Sequence, residues 1–239
     1  ADLIAKYEAK IPTNQKNPKY AAMIESVDDA VGRICSVLDE LNLAERTIIF
    51  FTSDNGGLMG VTNNAPLRAG KGYPYEGGIR EPLLVRWPKV IKPGTVSHEP
   101  VTSVDYFPTI CQAAGVPLPR DRDIDGVSLL GHLKSNGIQK LNRDTLFWHF
   151  PHYRGNIMPY SIIREGSWKL IKRYEGKTFE LYNLKGDLSE SNDLSEVLPA
   201  KARQLDAKLR RWLRISRAKL PRPNPDYDPN TASRKGKKR

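Results

Sequence analysis

The apolar residues of the first half of the chain follow two different spacings. Over residues 19–42 they recur every three or four positions, which places them on one face of a long helix. The run at residues 47–52 is β-branched and aromatic and does not alternate with polar residues. It therefore predicts a strand that is buried on both faces, as in the middle of an α/β sheet. A second strand of this kind is predicted at residues 83–87, and a helix with a hydroxyl side chain as its cap at residues 102–114.

From about residue 145 the pattern changes to short strand-like runs that are separated by turns containing glycine. Hairpin spacing of this kind predicts a small antiparallel sheet. The four runs lie at residues 146–150, 160–164, 168–173 and 178–184. A basic helix is then predicted over residues 199–213, with one apolar stripe formed by Leu205, Leu209, Trp212 and Leu213.

These changes of pattern divide the chain into three parts. Residues 1–142 carry the α/β elements, residues 143–222 the antiparallel sheet and the basic helix, and residues 223–239 a tail rich in proline and then in charge. The tail is expected to be extended or disordered. No stretch approaches the ~20 apolar residues that a membrane-spanning helix needs, so no membrane span is expected. The first residues show no signal-peptide pattern.

The net charge of +11 is a local feature rather than a property of the whole surface. Residues 201–239 hold 14 lysines and arginines against three aspartates, whereas residues 1–200 are balanced. A basic nucleic-acid-binding face is therefore not required, and no nucleic-acid partner is expected. Two interpretations of Lys201–Arg222 and Arg234–Arg239 stay open: a solvated helix face with a charged tail, or a surface that binds a polyanion.

Asp54 and Asn55 directly follow the first predicted buried strand, in a turn-rich segment with two glycines. Ligands bind at the carboxyl ends of strands in open α/β sheets, so this segment lies in a place suited to chemistry. Carboxylate and amide oxygens are hard donors, which suit Ca²⁺ or Mg²⁺. Two donors are too few for Ca²⁺, which takes about 6–8 oxygens, so the others must come from a ligand, water or other chain. Taken alone, the same residues are a common turn.

A lysine between two glycines, Lys71, follows a short distance along the chain. Glycine lets the backbone approach a ligand closely, and the lysine supplies a point positive charge for an anion. A second glycine pair comes next, between Glu76 and Arg80. A cation site and a tethered lysine are the parts needed to hold a tetrahedral oxyanion and to stabilise its charge during transfer.

Polar residues also follow the first strand of the hairpin region. His149, His152 and Arg154 suit the binding of sugar hydroxyls or of an anion. A half-exposed strand with polar tips would give the same pattern, so both interpretations stay open.

The remaining histidines and the two cysteines are expected to be structural. His98 and His132 are predicted at the surface. Cys35 and Cys111 each sit in a helix-like apolar pattern and are predicted as core residues rather than as a disulfide.

Several segments taken together resemble the sulfatase family. The motif FTSDNGG is followed by NNAPLRAGKGYPYEGGIREPLLVRWP, which is similar to the second half of the sulfatase signature. The preceding helix also resembles sulfatase sequences, as do the downstream segments VTSVDYFPTICQAAG, DGVSLLGHL and ELYNLKGDLSESNDL. The resemblance covers roughly residues 18–225.

The resemblance implies an alkaline-phosphatase-like sulfatase fold of the α/β class. A partial central mixed sheet flanked by helices would be joined to a small C-terminal subdomain of an antiparallel sheet and a helix. Residues 1–142 would then be the C-terminal half of the catalytic domain. In the family, a formylglycine made from Cys or Ser in a Cys/Ser-x-Pro-x-Arg motif attacks the sulfate ester beside a Ca²⁺ ion. The substrate would be a sulfated carbohydrate or an aryl sulfate.

The resemblance also implies a role for each candidate residue. Asp54 and Asn55 would be metal ligands, and Lys71 would contact the sulfate as a catalytic residue. Glu76 and Arg80 would support the loop. The residues that would read the alcohol part of the substrate are His149, His152 and Arg154.

The chain departs from the family pattern at the nucleophile. It contains no Cys/Ser-x-Pro-x-Arg motif, and the family's early Asp-Asp metal pair is absent, because Asp28-Asp29 lies in the middle of a predicted helix. About half of a sulfatase site is therefore present, and the isolated chain is expected to hydrolyse no sulfate ester. Relatives are mostly exported, which implies a periplasmic or secreted full-length protein. The sequence does not indicate an oligomeric state.

Two other functions fit parts of the pattern. A phosphodiesterase relative would share the fold but would use a Thr or Ser nucleophile and two transition metals held by Asp and His. No histidine lies next to Asp54 and Asn55, which argues against that function. A catalytically inactive truncated product or a polyanion-binding module would need no nucleophile. A Cys/Ser-x-Pro-x-Arg motif in upstream sequence would favour the sulfatase.

Overall fold

A computed structural model describes residues 2–176, 178–222 and 224–225. The helices are α1 (Asp2–Glu8), α2 (Pro18–Glu40), α3 (Glu76–Ile79), α4 (Tyr106–Ala113), α5 (Leu130–Lys134) and α6 (Pro199–Ile215). The strands are β1 (Ile49–Thr52), β2 (Leu83–Arg86), β3 (Thr145–Phe150), β4 (Tyr160–Glu165), β5 (Trp168–Arg173) and β6 (Phe179–Asn183). The architecture is α/β, with two antiparallel sheets and flanking helices.

Helix α2 begins with a side-chain cap and a proline in its first turn. The Asn17 side chain accepts a hydrogen bond from the Tyr20 backbone N–H, and Pro18 occupies a position where a missing N–H costs nothing. The predicted helix exists, but Ala22 is its only buried residue, and no large side chain of the predicted apolar stripe is buried. Five large apolar side chains of this helix are about half exposed: Met23, Ile24, Val27, Ile34 and Val37.

Strands β1 and β2 form an antiparallel pair in which Ile49 lies opposite Arg86. The prediction that these strands are buried on both faces is wrong for the described part of the chain. Phe51 is 39% exposed and Leu84 is 60% exposed. The reason is that the pair is two-stranded among the described residues, so its faces and edges are only partly covered.

The segment before α4 is closed by a reciprocal cap. The Thr102 backbone N–H donates to the Asp105 carboxylate, and the Asp105 backbone N–H donates to the Thr102 carbonyl, both at 2.9 Å. The Asp105 carboxylate is fully buried and also accepts two hydrogen bonds from Arg143, at 2.6 and 2.7 Å. This bidentate pair connects α4 to the chain just before β3.

Strands β3 to β6 form an antiparallel meander in chain order, which confirms the predicted small sheet. One face packs against α6, and the core there consists of Ile163, Leu170, Leu181, Ala202, Leu205, Leu209 and Leu213. The other face faces the first half of the chain, where Tyr75 packs with the buried residues Tyr160, Ile162, Ile171, Tyr182 and Leu184. The sheet therefore joins the C-terminal helix to the loops that follow β1.

Three local predictions require correction. His132, predicted at the surface, is only 6% exposed, because its ring nitrogens bind the Ser97 hydroxyl and the Gln139 carbonyl. Cys35 and Cys111, predicted as core residues, are free and partly exposed, since they lie on helices whose apolar faces are largely open.

Two predictions concern the ends and the surface of the chain. No helix among the described residues is long and apolar enough to cross a membrane. The prediction of an extended or disordered tail at residues 223–239 falls outside the described residues except for Asn224 and Pro225.

Candidate metal and anion site

The loop of residues 53–57, called here the Asp54 loop, leaves the carboxyl end of β1. The Ser53 hydroxyl donates to the Asn55 carbonyl at 2.8 Å, and the Thr52 hydroxyl donates to the Pro82 carbonyl at 2.9 Å. The Asp54 side chain is exposed and the Asn55 side chain is half-buried. Both oxygen-bearing side chains therefore sit at the strand end, where the sequence placed them.

A second loop, residues 68–73, carries Lys71 and is hydrogen-bonded to the Asp54 loop. The Lys71 backbone N–H donates to the Gly57 carbonyl at 3.1 Å. The Asn64 amide closes the same junction, because it accepts from the Gly57 N–H and donates to the carbonyls of Gly57 and Ala69. The side chain of Lys71 is exposed. The backbones of the two predicted motifs are thus hydrogen-bonded to each other directly. The Asn64 side chain reinforces this contact, and its role was not recognised in the sequence.

Helix α3 supports both loops, and its glycines have a steric reason. The Gly56 N–H donates to the Gly78 carbonyl, and the Gly77 N–H donates to the Arg68 carbonyl at 2.9 Å. A Cβ on Gly56 would lie 1.8 Å from the Gly77 oxygen, and one on Gly77 would lie 2.4 Å from the Arg68 oxygen. Only glycine permits these approaches. The glycine pairs therefore bring the two loops and α3 together.

Glu76, the first residue of α3, lies in a buried ion cluster with Lys169 and Glu190. The Lys169 ammonium donates to the Glu76 carboxylate at 2.9 Å and forms an ion pair with the Glu190 carboxylate at 2.7 Å. The second oxygen of Glu190 accepts from the Glu76 backbone N–H at 2.6 Å. All three side chains are at most 2% exposed. Burial raises the pKa of Glu190, while the Lys169 charge acts in the opposite direction.

Arg80 and Arg164 add two positive charges beside the Glu76 carboxylate. Their guanidinium groups lie 3.8 and 3.7 Å from its buried Oε2 atom. Arg80 itself is exposed. These contacts place Glu76 and Arg80, the predicted loop-supporting residues, at the junction between α3 and the antiparallel sheet.

Arg68 makes a second connection between the Lys71 loop and the sheet. Its guanidinium stacks on the Tyr75 ring at 3.8 Å and donates to the Tyr182 hydroxyl at 3.0 Å and the Glu190 carbonyl at 2.7 Å. Burial of Glu180 would raise its pKa, but hydrogen bonds from Tyr182, Arg173 and Tyr75 hold it below the usual value. The network is charged, largely buried and hydrogen-bonded.

Glu81 adds an acidic group beside the Asp54 loop. One oxygen of its carboxyl group is buried and has no hydrogen-bond partner among the described residues. Burial, followed by the nearby charge of Asp54, raises the pKa of Glu81. A buried, unpartnered carboxyl oxygen next to a second carboxylate is the arrangement that a bound cation would compensate. Glu81 was not predicted as a site residue, because nothing local distinguishes it from other charged residues at a strand start.

The described residues supply only part of a metal coordination shell. Within them, no group of three or more His, Cys, Asp or Glu side chains is placed to hold a metal ion. The oxygens of Asp54 and Asn55, together with the nearby unpartnered carboxyl oxygen of Glu81, are hard donors suited to Ca²⁺ or Mg²⁺. Completion of the shell requires oxygens from elsewhere.

The three residues predicted to read the substrate have different surroundings. The Arg154 guanidinium packs against Gly72, next to Lys71: a Cβ on that glycine would be 2.6 Å from Arg154 Nη1. His152 is exposed, and its ring meets the Phe150 ring edge-on at 5.6 Å between centroids. His149 is bound elsewhere, by the Ser161 hydroxyl at 2.7 Å and the Lys219 carbonyl at 3.0 Å.

His149 therefore differs from the other two predicted substrate-reading residues. In β3 it alternates with Trp148 and Phe150 and shares the α6 side with Phe147. Both of its ring nitrogens are occupied by protein groups. The sequence could not separate these residues, because the side to which each one points depends on how the strand is packed.

Two family models match this chain. The model described as "Sulfatase" matches residues 2–116, and the model described as "N-sulphoglucosamine sulphohydrolase, C-terminal" matches residues 70–219. Together they cover the two loops, α3 and the antiparallel sheet with α6.

Curated proteins with similar sequences are sulfatases. A sulfatase of Formosa agariphila is 39% identical over 236 residues, covering 89% of this chain and 43% of that protein. The steryl-sulfatase of Mus musculus is 41% identical over 144 residues, covering 56% of this chain and 23% of that protein. The chain thus spans less than half the length of these relatives.

Solved structures with the same fold lead to the same family. Ps i-CgsB in complex with k-i-k-neocarrahexaose superposes with a TM-score of 0.77 and 29% identity, over 88% of this chain and 46% of that one. BT4656 in complex with its substrate D-glucosamine-2-N,6-O-disulfate superposes with a TM-score of 0.69 and 30% identity, over 82% of this chain and 40% of that one. From the motifs, the fold and the matched family models, the chain belongs to the sulfatase family.

Proposed function

We propose that this chain forms the C-terminal portion of an enzyme that hydrolyses sulfate esters of carbohydrates or of aryl alcohols. One observation carries the proposal: the Lys71 backbone N–H is hydrogen-bonded to the Gly57 carbonyl, two residues after Asn55. A point positive charge and a pair of hard oxygen donors are thereby attached to one junction. Such a pairing suits a substrate that is a tetrahedral oxyanion held against a divalent cation.

Asp54 and Asn55 are proposed to hold Ca²⁺, or Mg²⁺, together with groups from outside this chain. The acidic pair of Asp54 and Glu81 supports a cation here, because the buried oxygen of Glu81 has no hydrogen-bond partner among the described residues. When bound, the cation would supply positive charge against the sulfate oxygens. A formylglycine nucleophile is proposed to come from the portion of the protein that precedes this one.

The other side chains of the site are proposed to bind and to position. Lys71 contacts the sulfate, and Glu76 and Arg80 support its loop through α3. Arg154, packed on Gly72, and the exposed His152 bind the alcohol part of the substrate. His149 is left out of this set, because both of its ring nitrogens are already bound. The crystallised relatives with a carrahexaose and with a glucosamine disulfate favour a carbohydrate.

The missing half of the site is proposed to pack on the open apolar surface of the first part of the chain. That surface includes Ile24 and Ile34 of α2, Phe51 of β1, Leu84 of β2 and Phe107 of α4, each at least 39% exposed. Large apolar side chains that are exposed on several elements support the proposal that another part of the protein covers them. Alone, the 239-residue chain is expected to release no sulfate from 4-nitrocatechol sulfate.

Expression of the complete reading frame with a formylglycine-generating enzyme tests the function. Sulfate release from sulfated glycans is measured for the wild type and for Asp54→Asn and Lys71→Ala. We expect activity that both substitutions abolish, while Lys89→Ala, an exposed lysine paired with Glu45, leaves it unchanged. Absence of a Cys/Ser-x-Pro-x-Arg motif upstream, with no turnover, would favour an inactive or polyanion-binding protein. The full-length protein is proposed to be periplasmic or secreted.

A further inference from the structure

The turn between β3 and β4 packs against the Lys71 loop. Arg154 and Ile157 form a backbone bridge, each N–H donating to the other carbonyl at 3.0 Å. Side-chain atoms of both residues reach Gly72, since a Cβ there would be 2.6 Å from Arg154 Nη1 and 3.2 Å from Ile157 Cδ1. The Tyr160 hydroxyl lies 3.5 Å from the Gly72 carbonyl. The guanidinium is therefore held against the residue that directly follows Lys71.

The turn is held in place by contacts that do not use the charge of Arg154. The Phe150 ring stacks on the Tyr160 ring with 5.4 Å between centroids, and the Tyr153 hydroxyl donates to the Glu175 carboxylate. The bridge to Ile157 uses only backbone atoms of Arg154. Loss of the guanidinium would thus leave the turn intact.

The charge of Arg154 has no counterion in the described part of the chain. No described carboxylate lies within ion-pair distance of it, and the same holds for Lys71. By contrast, Arg86, Arg143 and Arg173 each bind a carboxylate at 2.8 Å or less. Two cations without counterions on adjacent parts of one surface repel each other unless an anion lies between or beside them.

We propose that Arg154 binds a second anionic group of the substrate, a carboxylate or a further sulfate on the sugar that carries the scissile ester. The substrate class is then a multiply anionic carbohydrate rather than a singly charged aryl sulfate. The guanidinium fork matches the geometry of a carboxylate or sulfate edge and forms charge-assisted hydrogen bonds. Arg154 Nη1 lies against Gly72, and Gly72 directly follows Lys71, with Cα atoms about 3.8 Å apart. The two cations are therefore carried by adjacent backbone positions. This inference rests on the proposed function.

Binding to the 239-residue chain tests the inference without a need for turnover. Titrations followed by amide chemical shifts compare D-glucosamine-2-N,6-O-disulfate with N-acetylglucosamine 6-sulfate, in the presence of Ca²⁺. We expect the wild type to bind the doubly charged sugar about tenfold more tightly, as for one charge-assisted contact. Arg154→Gln removes this preference, Arg154→Lys keeps part of it, and Lys71→Ala weakens both ligands. Arg122→Gln, at an exposed arginine paired with Asp121, changes neither.

The outcomes separate this inference from the proposed function. A preference for the disulfate that Arg154→Gln leaves unchanged overturns the assignment of Arg154 and leaves the sulfatase proposal standing. Equal affinities of the wild type for both sugars also overturn the assignment of Arg154 and leave the sulfatase proposal standing. Binding of neither sugar to the 239-residue chain overturns the assignment of Arg154. The proposed function is then decided by the sulfate-release assay on the complete reading frame. Retention of the native shift pattern in Arg154→Gln shows that the variant is folded, as the backbone bridge and ring contacts require.

Discussion

Replacement of Lys169 by methionine is the perturbation with the largest expected effect on this fold. The lysine side chain is 0% exposed, and its ammonium is the cation that lies between the carboxylates of Glu76 and Glu190. Methionine has a similar length and no charge. The substitution therefore leaves two buried carboxylates close together. The remaining cations near Glu76 are the guanidinium groups of Arg80 and Arg164, at 3.8 and 3.7 Å.

The magnitude follows from the cost of an uncompensated buried charge. Breaking a buried ion pair by removal of one partner costs about 3–5 kcal/mol. An exposed pair is worth about 0–1 kcal/mol, so Lys208→Met, which removes a half-exposed lysine bound to Glu165, is the matched control. Because domains of this kind are stable by only about 5–15 kcal/mol, the Lys169 variant should lose a large part of its stability.

Urea unfolding followed by circular dichroism measures both variants. The deficit of Lys169→Met should shrink as the pH falls from 7 toward the raised pKa of Glu190, because protonation removes the buried negative charge. Conversion of both carboxylates to amides in the same variant should recover much of the loss. If Lys169→Met costs no more than Lys208→Met, the ion cluster does not hold α3 in place and the reasoning fails.

The remaining expectations concern other parts of the chain. In thermal unfolding, Gly56→Ala should lower the stability by about 1–3 kcal/mol, because its Cβ would lie 1.8 Å from a carbonyl oxygen, and it should also weaken Ca²⁺ binding. The control is Gly32→Ala, which should be neutral or stabilising in the same assay, because a Cβ there meets nothing within 4 Å. Burial raises the pKa of Asp187, but the N–H groups of Ser191 and Asn192 outweigh this effect and hold that pKa below its usual range. Asp187→Asn should therefore cost about 1 kcal/mol at neutral pH, and less at a pH below the lowered pKa, where the carboxyl group is protonated. Equal deficits at both pH values in urea titrations would contradict this. Ile24→Ser, at a half-exposed position, should change the unfolding free energy by less than about 0.5 kcal/mol, against about 2–5 kcal/mol for the fully buried Leu205→Ala.

Periodicity predicted the elements whose burial depends on nearby sequence. The runs that became β3 to β6 and α6 have ends within two residues of the observed ones, because each element hides one regular face against its neighbour. The same rule overestimated burial at β1 and α2. Their apolar faces are real, but a pattern does not say whether the covering part lies within the same piece of chain.

The candidate site was predictable only where residues are close in sequence. The Asp54 and Lys71 motifs stand out because glycines flank them. Lys169 and Glu190 do not, since a lysine in a strand and a glutamate in a loop are ordinarily solvated. Their partner Glu76 is 93 residues from Lys169 and 114 residues from Glu190, and only folding brings the three together.

Arg154 and His149 show a further limit of sequence patterns. They are five positions apart and were assigned one role, yet one lies on Gly72 and the other under the segment after α6. His149 lies within β3, on the side that faces α6, whereas Arg154 lies in the turn after the strand. Which side faces the site depends on the packing of Tyr75 and its neighbours against the sheet.

Paramagnetic relaxation from Mn²⁺, used as a substitute for Ca²⁺, tests most directly whether Asp54 and Asn55 hold a cation beside Lys71. The amide of Lys71 is hydrogen-bonded to the Gly57 carbonyl, so a cation on the Asp54 loop should broaden the amide signals of Asn55, Gly57 and Lys71 and leave those of α6 unchanged. Asp54→Asn should abolish the effect. Broadening centred on another acidic segment, or broadening that survives Asp54→Asn, would contradict the account.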